Sequence, residues 1–128
     1  MAKVLWLNLS VENPKKSADF FAALGFEIKK EFSNPASETA VLNDGTQLML
    51  VENKFFEEAS KRKIADTTTH AEVVLATQVD NQGEVDEIVN KANKAGGKEV
   101  GEAFEHEGMY TRIFRDLDGH QFNIFAFL

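Results

Sequence analysis

Asn43-Asp44-Gly45-Thr46-Gln47-Leu48-Met49-Leu50-Val51 returns later in the chain as Leu117-Asp118-Gly119-His120-Gln121-Phe122-Asn123-Ile124-Phe125. Each stretch is an Asp-Gly hairpin signal followed by an apolar strand, a short pattern that needs support elsewhere before it means a repeat. The support lies upstream: Leu7-Asn8-Leu9-Ser10-Val11-Glu12-Asn13 is echoed by Leu75-Ala76-Thr77-Gln78-Val79-Asp80-Asn81, and both copies run on through a helix-like segment that ends in Gly. The sequence therefore reads as one module used twice, with function expected in the space between the copies.

Outward from these anchors, Val4 to Val11 alternates at the period of a strand. Leu5, Leu7, Leu9 and Val11 fall on one face, and Trp6, Asn8 and Ser10 on the other. Asn13 then offers an N-cap and Pro14 a first helical residue; Phe20, Phe21 and Leu24 form an apolar stripe closed by Gly25. Strands are expected at Phe26–Lys30, Thr39–Leu42 and Gln47–Val51, giving βαβββ. The first module covers about residues 3–52. A polar connector at about 53–70 carries a helical turn or two around Phe56–Lys63, and the second module runs over about 71–128. In that module Val73, Leu75, Thr77 and Val79 share one strand face, with Val74, Ala76 and Gln78 on the other. Val85, Ile88, Val89, Ala92 and Ala95 recur at helical spacing before Gly96-Gly97. Strands at Lys98–Val100, Tyr110–Arg115 and Gln121–Phe127 again give βαβββ. The fold class is α+β, two such modules in tandem within a single domain spanning 1–128, with mixed curved sheets around a concave cavity and helices outside.

A chain of 128 residues is long enough to bury a real core, whereas two 60-residue halves would be marginal alone. The net charge is −7 and no basic stripe appears, which disfavours nucleic acid and anionic membrane as partners. The absence of cysteine removes disulfides, thiolate metal sites and a cysteine nucleophile. It fits a cytoplasmic setting, as does an N-terminal apolar run too short for a signal peptide.

Helices that follow strands cover one sheet face, leaving the other to line a cavity. A two-residue hairpin at Asp118-Gly119 pairs Leu117 with His120, so Phe114 would sit beside Asn123, Arg112 beside Phe125 and Tyr110 beside Phe127. The same construction in the first module puts Ala40 beside Met49 and Glu38 beside Val51. Candidate ligand-binding residues on the uncovered faces are then Trp6, Asn8, Met49, Tyr110, Arg112, Phe114, Asn123 and Phe125, with Val74 nearby.

Leu9-Ser10-Val11-Glu12-Asn13-Pro14-Lys15-Lys16-Ser17-Ala18-Asp19-Phe20-Phe21, Leu24-Gly25-Phe26 and Asp116-Leu117-Asp118-Gly119-His120 resemble the vicinal oxygen chelate superfamily of glyoxalase I, bleomycin-resistance proteins and extradiol dioxygenases. Lys63-Ile64-Ala65-Asp66-Thr67 and Gly108-Met109-Tyr110-Thr111-Arg112 are similar to a bacterial glyoxalase-like subgroup. In metal-dependent members the resemblance implies a His or equivalent on the first strand of each module and a Glu or other ligand on the last. The matching positions here are Trp6, Val74, Met49 and Asn123, of which only Asn123 is a ligand even weakly. A catalytic divalent ion needs about three N or O ligands, so no metal and no cofactor are expected at the usual place.

Each remaining candidate has a plainer alternative. A displaced metal site from His106, His120 and Glu105 or Glu107 competes with solvated surface histidines, the preferred expectation. Arg112 either binds an anionic substrate group or pairs with Glu38 or another carboxylate. Tyr110 and Asn123 either orient a carbonyl or hydroxyl or are satisfied in a wet groove; Trp6 either stacks on a flat ligand or plugs the space a metal would fill. The expected function is a glyoxalase- or bleomycin-resistance-like protein that binds a small anionic or aromatic molecule, or a metal-independent enzyme. The alternative is a metal-dependent lyase or extradiol-type dioxygenase with relocated ligands. A homodimer is expected, with no catalytic residue assigned.

Overall fold

The computed structural model describes every residue, Met1–Leu128, and divides into two units, Met1–Ala65 and Asp66–Leu128. The boundary falls within the segment read as a connector.

The first unit runs β1 (Leu5–Val11), α1 (Pro14–Ala23), β2 (Glu27–Ile28), a 3-10 turn (Lys30–Phe32), β3 (Ser37–Asn43), β4 (Thr46–Glu52) and α2 (Asn53–Ser60). Helix α1 starts where the sequence says it should: the Asn13 side chain accepts from the Lys16 N–H, and Pro14 needs no N–H partner in the first turn. The sheet order is β1-β4-β3-β2, with β1 parallel to β4 and the other pairs antiparallel. One face carries Leu9, Val11, Ala40, Leu48 and Leu50, all buried together with Phe20 and Phe21 of α1. The other carries Trp6, Asn8, Gln47, Met49 and Thr39 and has no helix from α1 over it.

The expected hairpin register needs correction here. The turn itself is the two-residue one, with Asn43 opposite Thr46 and the Asn43 side chain accepting from the Gly45 N–H. A bulge between Val41 and Asn43 then slips the ladder by one, so Thr39 rather than Ala40 faces Met49 and Glu38 faces Leu50 rather than Val51. A one-residue slip exchanges the two faces, and it is what brings Thr39 onto the face of Trp6 and Met49.

The second unit runs β5 (Val74–Gln78), α3 (Gln82–Lys94), β6 (Lys98–Glu99), β7 (Phe104–His106), β8 (Met109–Arg115) and β9 (Gln121–Phe127). Helix α3 is capped by Asn81, which accepts from Glu84, and its buried stripe is Val85, Val89 and Ala92. The sheet order is β5-β9-β8-β6, with the three-residue β7 also pairing β8, one strand more than expected. No helix in either unit is long and apolar enough to cross a membrane.

The same slip recurs. Arg115 pairs with Gln121, closing a loop of Asp116 to His120 instead of a two-residue turn. Phe114 therefore faces Phe122, Arg112 faces Ile124 and Tyr110 faces Ala126. Asp116 dictates the longer loop: its Oδ1 accepts from the backbone N–H of both Asp118 and His120, and its own N–H donates to the His120 carbonyl.

Candidate functional site

Trp6, Asn8 and Met49 stand together on the face of the first sheet opposite Leu9, Leu48 and Leu50, in register with Gln47, Met49 and Thr39 on the strands beside them. The Asn8 amide donates to the Trp6 carbonyl at 3.1 Å, which holds it along the strand. Trp6 is 41% exposed and meets the ring of Phe32, 46% exposed, edge to face with centroids 5.6 Å apart. Phe32 ends a 3-10 turn that packs on β3 and has no side-chain cap at its start. Beneath this surface the Thr39 hydroxyl and the side-chain carbonyl of Gln47 are buried with no hydrogen-bond partner. Such groups carry a desolvation cost of about 1–3 kcal/mol each, so two on one face mark a place where polar partners are missing. Gln47 was legible in the alternation of Gln47, Met49 and Val51; Thr39 was hidden by the bulge, and Phe32 lies in a segment without period.

In the second unit Asn123 and Phe125 lie on the helix-free face with Val74, beside Ile113 and Thr111. Tyr110, Arg112 and Phe114, expected with them, lie on the opposite face under α3. Phe114 is fully buried and stacked on Phe122, centroids 5.1 Å apart. Arg112 grips Glu99 bidentately, Nε and Nη2 donating at 2.8 Å each. Its Nη1 donates to Asp86 at 3.0 Å and Nη2 also reaches Asn90 at 3.1 Å. The Tyr110 hydroxyl donates to the same Asp86 oxygen at 2.6 Å. These bonds hold the Glu99 carboxyl below its usual range and raise the Arg112 guanidinium and the Tyr110 hydroxyl above theirs. Arg112, only 13% exposed, thus ties α3 to β6 and β8, and its partners are Glu99 and Asp86 rather than Glu38.

The histidines also separate. His106 is exposed and 3.7 Å from Glu107, whereas His120 is buried in the β8–β9 loop rather than solvated. Nearby, burial pushes the Asp116 carboxyl up to about 6, and its Oδ2 has no hydrogen-bond partner.

The glyoxalase/bleomycin resistance protein/dioxygenase superfamily matches residues 3–124. The chain belongs to this superfamily. Among solved structures it is similar to the hypothetical protein SA1046 from S. aureus, at 38% identity over 98% of this chain and 94% of that one, with a TM-score of 0.84. A glyoxalase-related enzyme from Fulvimarina pelagi shares the fold at 21% identity, covering 98% and 88% of the two chains with a TM-score of 0.84. So does the fosfomycin resistance protein FosX from Listeria monocytogenes, at 19% identity over 100% and 93%, TM-score 0.70. No curated protein matches the chain.

The superfamily includes metal enzymes, and the side chains at the positions that resemble their ligands do not fit a metal. Trp6 and Val74 have no donor lone pair for a cation, Met49 offers a soft thioether, and Asn123 alone offers an amide oxygen already accepting from Gln121. No three His, Asp or Glu side chains gather closely enough elsewhere to hold one.

Proposed function

We propose that the protein binds a small, flat, aromatic molecule bearing an O–H or N–H donor on the Trp6 face of the sheet in its first unit. It acts there as a binding protein of the bleomycin-resistance kind or as a metal-independent enzyme, and works as a cytoplasmic homodimer. One observation carries the reading: the Thr39 hydroxyl and Gln47 carbonyl are buried without partners on the face that presents the Trp6 and Phe32 rings. In this account the ligand ring takes the place of Phe32 against Trp6, and its donor group satisfies the two oxygens. Asn8 and Met49 remain candidate lining of this site, and Asn123 and Phe125 remain candidates on the second unit's own sheet; Tyr110, Arg112 and Phe114 are reassigned to structure.

Trp6 is the only tryptophan, so its fluorescence reports the site directly. A panel of aromatic alcohols and amines, beginning with 4-nitrophenol, should quench it saturably, with nitrobenzene, which lacks the donor, binding more weakly. Linear, unsaturable quenching across the panel would refute the proposal.

A further inference from the structure

Lys98 and Arg115 are direct cross-strand partners in the β6–β8 ladder, so their side chains leave the sheet side by side on the face away from α3. Like charges so placed repel and destabilise a sheet. Neither is in an ion pair, although the chain has 21 acidic residues to 14 basic ones. The Arg115 guanidinium has one long hydrogen bond, 3.4 Å to Gln121, where Arg112 three residues earlier has four. Both cations line a cavity of about 480 Å³ that also takes in Thr68, Gly96, Asp116 and Leu117. That volume lies within the range of roughly 300–1,000 Å³ typical of small-molecule sites. Of the carboxylates in the wall, Glu99 is held by Arg112 and Asn93, while Asp116 accepts at Oδ1 from the N–H groups of its own loop and keeps its buried Oδ2 without a hydrogen-bond partner. Leu117, 44% exposed, gives the cavity an apolar side.

We infer that this cavity is a second ligand site, for a small phosphate monoester whose charged head bridges Lys98 and Arg115 and whose organic part rests on Leu117. The planar guanidinium donates to two phosphate oxygens and the ammonium to a third, an acceptor that a planar carboxylate with two oxygens does not have. The site lies wholly in the second unit and does not depend on the aromatic site of the first.

Calorimetric titration with inorganic phosphate and with phenyl phosphate, against chloride at matched ionic strength, tests the assignment. Both should bind saturably, phenyl phosphate more tightly. Lys98→Ala and Arg115→Ala should each weaken binding by roughly tenfold, the scale of one charge-assisted hydrogen bond. Lys15→Ala, in the first unit, should change nothing. Because the cations repel, Lys98→Ala should also be the more stable protein in phosphate-free buffer, which separates a binding loss from a folding defect. No saturable binding at matched ionic strength, or binding that survives both substitutions, would overturn the site. Malonate binding as tightly as phosphate would overturn the phosphate assignment.

Discussion

Arg112 shows how one residue can be chemically suggestive and structurally committed. Its guanidinium is shared among Glu99, Asp86 and Asn90, so its removal strands two carboxylates under α3. Breaking such a pair from one side destabilises because the orphaned charge stays behind. Arg112→Ala should cost about 3 kcal/mol, measured as a shift in the chemical denaturation midpoint, with Arg112→Lys recovering part of it. A variant as stable as the parent would free Arg112 for another role. Asp116 makes a second residue-scale prediction. Its folded pKa of about 6 lies above the unfolded value of 3.8, so the folded state holds the proton more tightly. The stability this contributes is fully present below the unfolded pKa and lost as pH rises through 6. Relative to Asp116→Asn, the parent protein should therefore gain stability as pH falls from 7 to 5, and a difference that is flat with pH would contradict the assignment. Sequence alternation identified Arg112 and Tyr110 as polar residues within an apolar strand, but their partners come from α3 and β6. No local pattern brings those elements to β8.

At the scale of elements, the capped helices and the long strands were legible because the signals are local: Asn13-Pro14, Asn81, and the alternation through β1, β4 and β9. Register was not. Each hairpin's ladder is shifted by a single residue from the expected register, through a bulge before Asn43 in one and a loop closed by Asp116 in the other. A slip of one moves a whole strand's side chains to the other face, which is why Thr39 was missed and Tyr110, Arg112 and Phe114 were assigned to the wrong side. The β8–β9 loop has a further constraint. Gly119 has φ +90°, a Cβ there would overlap the Thr67 carbonyl, and the Thr67 hydroxyl donates to the Asp118 carbonyl at 2.5 Å. Gly119→Ala should destabilise by at least about 1 kcal/mol and speed hydrogen exchange at Thr67–His70. Unchanged exchange in that segment would mean the loop accommodates the methyl without releasing it.

At the scale of the whole molecule, superfamily membership fixes the fold and leaves the reaction to the side chains. Strands β1 and β5 are the outer strands of their sheets and carry exposed Leu5, Trp6 and Val74. Uncovered apolar edges of this kind call for a partner, and a homodimer is the expected state; light scattering across the micromolar range checks it, and a monomer throughout would contradict it. The central claim is that the Trp6 face of the first unit is built for a ligand at the expense of stability, and Thr39→Val tests it most directly. Valine keeps the shape and removes the unpartnered hydroxyl. The account predicts a protein more stable by about 1 kcal/mol that has lost its preference, read by Trp6 fluorescence, for 4-nitrophenol over nitrobenzene. A Thr39→Val protein that is less stable than the parent and retains that preference would contradict it.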